Sequence, residues 1–312
     1  MTEAPHSRIA VADLGTNSTR LLVADHAGGA LTDVERRSEV TRLGDGVDST
    51  GRLADDAMGR VCACLARYRD VADELGAGRS IAVATSAVRD AANGAEFQQR
   101  VREDHGFDIR VIPGEEEARL TFLGATAGRE PGRPTLVIDI GGGSTEFVVG
   151  EAGSPPTFHV STRLGSVRQT ERHLESDPPA PAELEAMAAA AREIIEAGAP
   201  ESVRSDADEG IAVAGTATQL AAVDQQLEPY ERDEVDGYRL GLGRCEGILA
   251  RLAGLTLAER RDVPGLDPDR APTIVAGAMI LVESMRLFGL EDVEVSEADI
   301  LHGAALAALA EG

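Results

Sequence analysis

Residues 13–23 read Asp13-Leu-Gly-Thr-Asn-Ser-Thr-Arg-Leu-Leu-Val23, and residues 139–149 read Asp139-Ile-Gly-Gly-Gly-Ser-Thr-Glu-Phe-Val-Val149. Asp13 matches Asp139, Gly15 matches Gly141, Ser18 matches Ser144, Thr19 matches Thr145 and Val23 matches Val149, all at one separation of 126 residues (139 − 13). Solenoid repeats recur every 20–50 residues or so, and a period this long means a duplicated domain. Each copy carries a carboxylate at the end of an apolar run, a Gly/Ser/Thr-rich turn, and a second apolar run of β-forming residues. Strand, hairpin and strand are the expected result.

The pattern extends outward on both sides. In the first copy, strands are expected over residues 8–14, 19–25 and 30–42, with the turn at Gly15-Thr16-Asn17-Ser18. A long amphipathic helix follows at 54–75, then strand 80–84, helix 95–104, strand 109–112 and helix 115–127. Residues 128–134, Gly-Arg-Glu-Pro-Gly-Arg-Pro, break the periodicity and read as a hinge. The programme then restarts with strands at 135–140, 144–150 and 157–162, a helix at 182–197, a strand at 210–214, more helix, a strand at 292–295 and a helix at 297–310. The acidic stretch 201–209 reads as a solvated loop. Two α/β domains are expected, 1–127 and 128–312, with the C-terminal helix at about 298–312 able to pack back on the first.

Composition narrows the chemistry. The 312 residues carry a net charge of −24 and no lysine, so all thirty basic residues are arginine. Nucleic-acid binding needs a basic face and is disfavoured. The missing lysine removes the Walker lysine, Schiff-base chemistry and lysine bases, and leaves an anionic substrate to arginine, backbone amides, hydroxyls or metal. No uncharged apolar run approaches the length of a membrane span, and residues 1–7 lack the basic and apolar regions of a signal peptide. They read as a short frayed tail, and the cytoplasm is the expected compartment. Cys62, Cys64 and Cys245 read as packing residues, and the six histidines show no ligand spacing. Ile274, Ala278, Leu281, Met285 and Phe288 recur at helical spacing and read as helix core.

A carboxylate beside a glycine-rich hairpin suits phosphate. Glycine admits close approach of an anion, and hairpin amides with Ser and Thr hydroxyls donate to its oxygens. Gly15, Thr16, Asn17 and Ser18 form one such loop, and Gly141, Gly142, Gly143, Ser144 and Thr145 the other. Two copies facing each other could grip one phosphate chain. A third candidate is Gly215-Thr216, where a strand runs into a helix whose free amides can bind an anion. Glu115, Glu116 and Glu117 open a helix after Pro113-Gly114; they suit its dipole, and any of them could serve as a base, its pKa raised by like charges. Arg89, at a strand-to-helix junction, could clamp phosphate bidentately or make a structural salt bridge. Arg20, at the position that Glu146 takes in the second copy, is a charge reversal between the halves.

Five motifs occur in order: Asp13-Leu-Gly-Thr-Asn-Ser, Thr85-Ser-Ala-Val-Arg89, Pro113-Gly-Glu-Glu-Glu117-Ala, Asp139-Ile-Gly-Gly-Gly-Ser-Thr-Glu146 and Ala214-Gly-Thr. Together they resemble the exopolyphosphatase/guanosine pentaphosphate phosphatase family of the sugar kinase/Hsp70/actin superfamily, in its short two-domain form. The resemblance implies duplicated actin-like (ribonuclease H-like) α/β domains with an interdomain cleft. It implies Mg²⁺-dependent hydrolysis of a terminal phosphoanhydride, with inorganic polyphosphate or a guanosine alarmone (pppGpp) as the anionic ligand. It selects Glu117 as the catalytic glutamate, with Arg89 beside the transferring group. It makes Asp139 and Glu146, with Asp13, the metal residues, and it marks Arg163, Gly165, Ser166 and Arg168 as a further substrate loop. No nucleic acid or membrane is implied, a homodimer is compatible, and the rival outside the enzyme class is a non-catalytic polyphosphate or alarmone sensor.

Overall fold

A computed structural model describes residues 7–311, so most of the expected N-terminal tail, His6 included, lies outside the described residues. The chain divides into two compact units, Met1–Arg129 with Ile300–Gly312, and Glu130–Asp299.

The first unit is built on a five-stranded sheet. Its strands are β1 (Ser7–Leu14), β2 (Ser18–Ala27), β3 (Ala30–Val40), β4 (Arg79–Ala84) and β5 (Asp108–Val111), in the order β3-β2-β1-β4-β5. β1 pairs antiparallel with β2 and parallel with β4. The second unit has β6 (Thr135–Ile140), β7 (Thr145–Gly150), β8 (Phe158–Thr162), β9 (Glu209–Val213), β10 (Arg239–Gly241) and β11 (Asp292–Val295), ordered β10-β11-β9-β6-β7-β8. β6 pairs antiparallel with β7 and parallel with β9. Read from β8 inward, five of these strands repeat the order and directions of the first sheet. The α/β fold class and the duplication expected from the sequence are therefore those of the structure.

The central strands are continuous apolar runs because helices cover both faces. In the first unit one face packs against the helix Asp55–Glu74 and the other against Ile300–Ala310. That last helix also lies along Gly114–Ala125, so closely that a Cβ on Gly303 would overlap the Leu120 backbone. In the second unit the helix Ile274–Leu287 is buried nearly all round, which explains its apolar sequence. Its one buried carboxylate, Glu283, is paired with Arg192 at 3.2 Å and Arg286 at 2.7 Å. Ile274, Ala278, Leu281, Met285 and Phe288 are core, as their spacing indicated. All three cysteines are free and buried, and burial pushes the thiols of Cys64 and Cys245 up to about 12. No helix among the described residues is long and apolar enough to cross a membrane.

Local departures have local causes. Residues 201–209 are not a plain loop: Glu201–Arg204 is a turn of helix started by Pro200, and Glu209 already belongs to β9. The short edge strand β10 lies inside what reads as continuous helix, since three residues are too few for a period to register. The last helix starts at Ile300 rather than 297, because Ser296 takes the Ala298 amide in a tight turn.

Candidate active site

Both units present their candidate residues where the parallel strands end, the usual place for ligands in α/β sheets. At the β1–β2 turn, Gly15 N–H donates to Ser18 O at 3.0 Å; at the β6–β7 turn, Gly141 N–H donates to Ser144 O at 3.0 Å. The carbonyls of each turn are then tied down by the chain that follows the third strand. Arg42 and Gly44 donate to Asn17 O and Thr16 O, both at 2.8 Å. Ser166 and Val167 donate to Gly141 O and Gly142 O, both at 2.9 Å, and Arg168 Nε donates to Gly143 O at 2.9 Å. The amides of Thr16 and Asn17, and those of Gly142, Gly143 and Ser144, have no acceptor among the described residues. A turn whose carbonyls are engaged and whose amides are not is a concentration of donors, the arrangement that receives an anion.

Hydroxyls divide differently from the expectation. Ser18 Oγ is buried without a partner at the first turn, as a phosphate donor would be. Thr145 is fully buried and its hydroxyl donates to the Leu164 carbonyl, so this residue holds the bracing loop and is not a phosphate donor. Its counterpart Thr19 bonds Thr41 Oγ1 at 2.9 Å.

The carboxylates face different partners. Asp13 lies opposite Arg20 in the β1–β2 register, and Arg20 Nε and Nη2 donate to Asp13 Oδ2 at 2.9 and 2.7 Å. Arg20 thus brings a positive charge to Asp13, one of the residues that the resemblance implies for the metal. Asp139 lies opposite Glu146 in the β6–β7 register, the two being 6% and 1% exposed. Ser161 Oγ donates to Glu146 Oε1 at 2.6 Å. No three His, Cys, Asp or Glu side chains form a ready metal cage among the described residues. A two-carboxylate position still fits Mg²⁺, which keeps waters and takes phosphate oxygens as its remaining ligands.

The structure separates the three glutamates at the start of Gly114–Ala125. Glu115 is exposed. Glu116 pairs with Arg119 at 2.8 Å, which holds its carboxyl below the usual range. Glu117 alone is buried, 7% exposed, and its Oε2 accepts from Arg89 Nη1 at 2.9 Å. Arg89 sits in the last turn of the short helix Ser86–Asp90 that follows β4, and the same Nη1 donates to Ile112 O, just past β5, at 3.0 Å. Adjacent parallel strands thus bring together two residues 28 apart in sequence. The ion-pair reading of Arg89 describes this structure, yet its Nε and Nη2 bond no described residue and keep an edge of the fork for a ligand.

The third loop begins at Ala214, whose φ of 63° places a Cβ-bearing residue in the left-handed region, a strain of about 1–3 kcal/mol that clusters at functional sites. Thr216 Oγ1 reaches Ile140 O at 3.5 Å, bringing this loop to the end of β6. Over Gly215 lies the Arg270 guanidinium, so close that any side chain at 215 would collide with it.

The Ppx/GppA phosphatase family model matches residues 22–311. The chain belongs to the Ppx/GppA phosphatase family. It is 37% identical to a Mycobacterium tuberculosis protein called exopolyphosphatase 2, over 96% of this chain and 98% of that one. Among solved structures, an Aquifex aeolicus Ppx/GppA family member superposes with a TM-score of 0.83 at 30% identity, covering 98% of this chain and 99% of that one. A Cytophaga hutchinsonii exopolyphosphatase gives 0.89 at 26% identity, covering 98% of each. The family inferred from the five ordered motifs is confirmed.

Within this Ppx/GppA phosphatase, sequence reading missed the bracing loop of the first unit and Arg270. A signal for the loop exists: Thr41-Arg-Leu-Gly44 answers Thr162-Arg-Leu-Gly165, at a separation of 121 residues (162 − 41). The shift from 126 to 121 hides the match. In both copies the leucine is fully buried and the glycine fits where a Cβ would strike the hairpin, on Thr16 in one case and on Gly142 and Gly143 in the other. Arg163 is exposed, while Gly165, Ser166 and Arg168 are buried against the second hairpin. Arg270 has no sequence signal, since nothing in Asp267–Arg270 distinguishes it from any polar turn.

Proposed function

We propose that the chain is an exopolyphosphatase, hydrolysing the terminal phosphoanhydride of inorganic polyphosphate with Mg²⁺ in the cytoplasm. The observation that carries this is the pair of hairpins with tethered carbonyls and unspent amides, each beside a buried carboxylate. A donor cluster of this kind beside a carboxylate suits a phosphate ligand. The M. tuberculosis relative bears the name of the same activity.

Glu117 takes a proton from the attacking water, and the oxygen bonds to the terminal phosphorus as the bridging P–O bond breaks. The shortened chain leaves with the bridging oxygen, and Glu117 later returns its proton to solvent. Arg89 Nη1 keeps Glu117 in place, while Nε and Nη2 meet the transferring phosphoryl oxygens. Asp139 and Glu146 would hold Mg²⁺, which would supply positive charge to offset that of the phosphate. The amides of Gly142, Gly143 and Ser144 receive charge that builds on the leaving phosphate.

Aromatic placement favours polyphosphate over pppGpp. The chain has no tryptophan, and Tyr68, Phe97, Phe107, Phe122, Phe147 and Phe288 are all buried. Few rings remain on which a guanine could stack. The net charge of −24 also favours short chains, which trail less phosphate over acidic surface. The test is kcat/KM for short polyphosphate, long polyphosphate, pppGpp and ATP at matched ionic strength, with and without Mg²⁺. Short polyphosphate is expected to be best. A tenfold preference for pppGpp would make this an alarmone phosphatase, and no phosphate release from any of them would make it a sensor.

A further inference from the structure

The three unspent amides of the second hairpin belong to consecutive peptides, and in a trans peptide the carbonyl points away from the N–H. Here those carbonyls meet the start of the helix Ser166–His173. Gly142 N–H shares its peptide with Gly141 O, which accepts from Ser166 N at 2.9 Å and Ser166 Oγ at 3.2 Å. Gly143 N–H shares its peptide with Gly142 O, which accepts from Val167 N at 2.9 Å and Arg168 N at 3.2 Å. Ser144 N–H shares its peptide with Gly143 O, and there the donor is a side chain, Arg168 Nε at 2.9 Å. The first two carbonyls take up amides that a helix start leaves without intrahelical partners, and the third meets a cation.

We infer that Arg168 is a positioning residue for the phosphate ligand: bonded to Gly143 O, it orients and polarises the 143–144 peptide and makes Ser144 N–H a stronger anion donor, without touching the ligand itself. This rests on the reading of the second hairpin as a phosphate cradle. Hydrogen bonds in a chain strengthen one another, and a charged donor on the carbonyl gives the larger effect. Arg168 is 5% exposed, so little water screens its field at the peptide. Burial pushes its pKa down, yet a guanidinium starts so far above neutrality that it stays charged. Whatever its two Nη groups bond, Nε is committed to the Gly143 carbonyl, and the peptide is held before a ligand arrives. The duplication shows that the hairpin alone does not demand this cation. At the separation of 121 that aligns the bracing loops, position 168 answers Val47 (168 − 121), and Asn17 O and Thr16 O accept from the backbone amides of Arg42 and Gly44 at 2.8 Å.

Two substitutions separate charge from shape. Arg168→Gln places a neutral nitrogen donor at the same point along the side chain as Nε, and Arg168→Met places a methyl there. The test on the full chain pairs kcat/KM for short-chain polyphosphate with the Ser144 amide ¹⁵N resonance of ligand-free, ¹⁵N-serine-labelled protein, assigned by its loss in Ser144→Ala. Arg168→Met is expected to lower kcat/KM about tenfold and Arg168→Gln about threefold, since a neutral donor makes a bond roughly half as strong. The Ser144 nitrogen, relieved of the cation on its peptide's carbonyl, is expected to move upfield in the same order. If wild type releases no phosphate from polyphosphate, the phosphate reading itself fails. If wild type is active but both folded variants keep its kcat/KM, with only Tm lowered, Arg168 is structural and the inference falls. Equal losses in both variants with the Ser144 resonance unmoved would mean that Arg168 contacts the ligand directly, and would also overturn it. Should Arg168→Met not fold, Arg168→Gln decides alone: wild-type kcat/KM and an unmoved resonance refute the assignment.

Discussion

Glu117→Gln separates chemistry from structure because the two side chains are nearly isosteric. Glu117 is 7% exposed and accepts a hydrogen bond from Arg89 Nη1 at 2.9 Å. The glutamine Oε1 can take the same bond from Arg89, and no cavity opens. What is lost structurally is the charge on one side of an ion pair whose arginine is a quarter exposed, worth at most about 1 kcal/mol after screening. For a unit of this size that is a fall in Tm of about 2–4 °C. The loss in rate should be far larger, since glutamine cannot accept the water proton. General-base catalysis is worth about 10²–10⁴-fold, or roughly 3–5 kcal/mol of barrier. Steady-state phosphate release from polyphosphate should therefore show kcat down by at least about a hundredfold with KM little changed. Glu117→Ala should match it in rate yet lose more stability, because it leaves the Arg89 guanidinium facing a void. A folded Glu117→Gln enzyme that keeps more than about a tenth of wild-type kcat refutes the base assignment, and exposed Glu115 would be no better placed to replace it.

Three further outcomes follow from the geometry. Asp139→Asn or Glu146→Gln should raise the Mg²⁺ concentration needed for half-maximal rate, and chelation should abolish turnover; an unchanged Mg²⁺ titration would make these residues structural. Gly165→Ala pushes a methyl into Gly142 and Gly143, which should cost about 1–3 kcal/mol and raise KM for polyphosphate, whereas a normal KM in the folded variant would show that the bracing loop does not set the amide cradle. Glu183 caps the helix Pro181–Gly198, accepting from the Ala180 amide at 2.8 Å and then from Ser176, and these bonds hold its carboxyl below the ordinary range. A depressed folded-state pKa stabilises above the unfolded value of about 4.3 and ceases to as pH falls through the folded one. The Tm deficit of Glu183→Gln should accordingly be full at pH 7 and shrink as pH falls below the unfolded value, and a gap that does not change with pH would contradict the capping account.

The sequence by itself determined the duplication, the strand–hairpin–strand unit and the family. Those depend on order along the chain: Asp13 and Asp139 each precede a glycine turn, and alternation or continuity of apolar residues marks a strand wherever it lies. It also determined that Glu115, Glu116 and Glu117 begin a helix. It could not say which one turns inward, because a helix's phase is set by what it packs on, here the helix Ile300–Ala310, which arrives from the far end of the chain. Arg89 met Glu117 only once β4 and β5 had paired. Thr145 reads in sequence as part of the second phosphate loop, but its hydroxyl is claimed by Leu164, nineteen residues away. The bracing loops, Arg270 over Gly215, and the contrast between Asp13 with Arg20 and Asp139 with Glu146 are facts of register and close approach. A residue's own neighbours in sequence dictate its element and the face it occupies; the partner that covers that face comes from another part of the chain, and only folding brings it there.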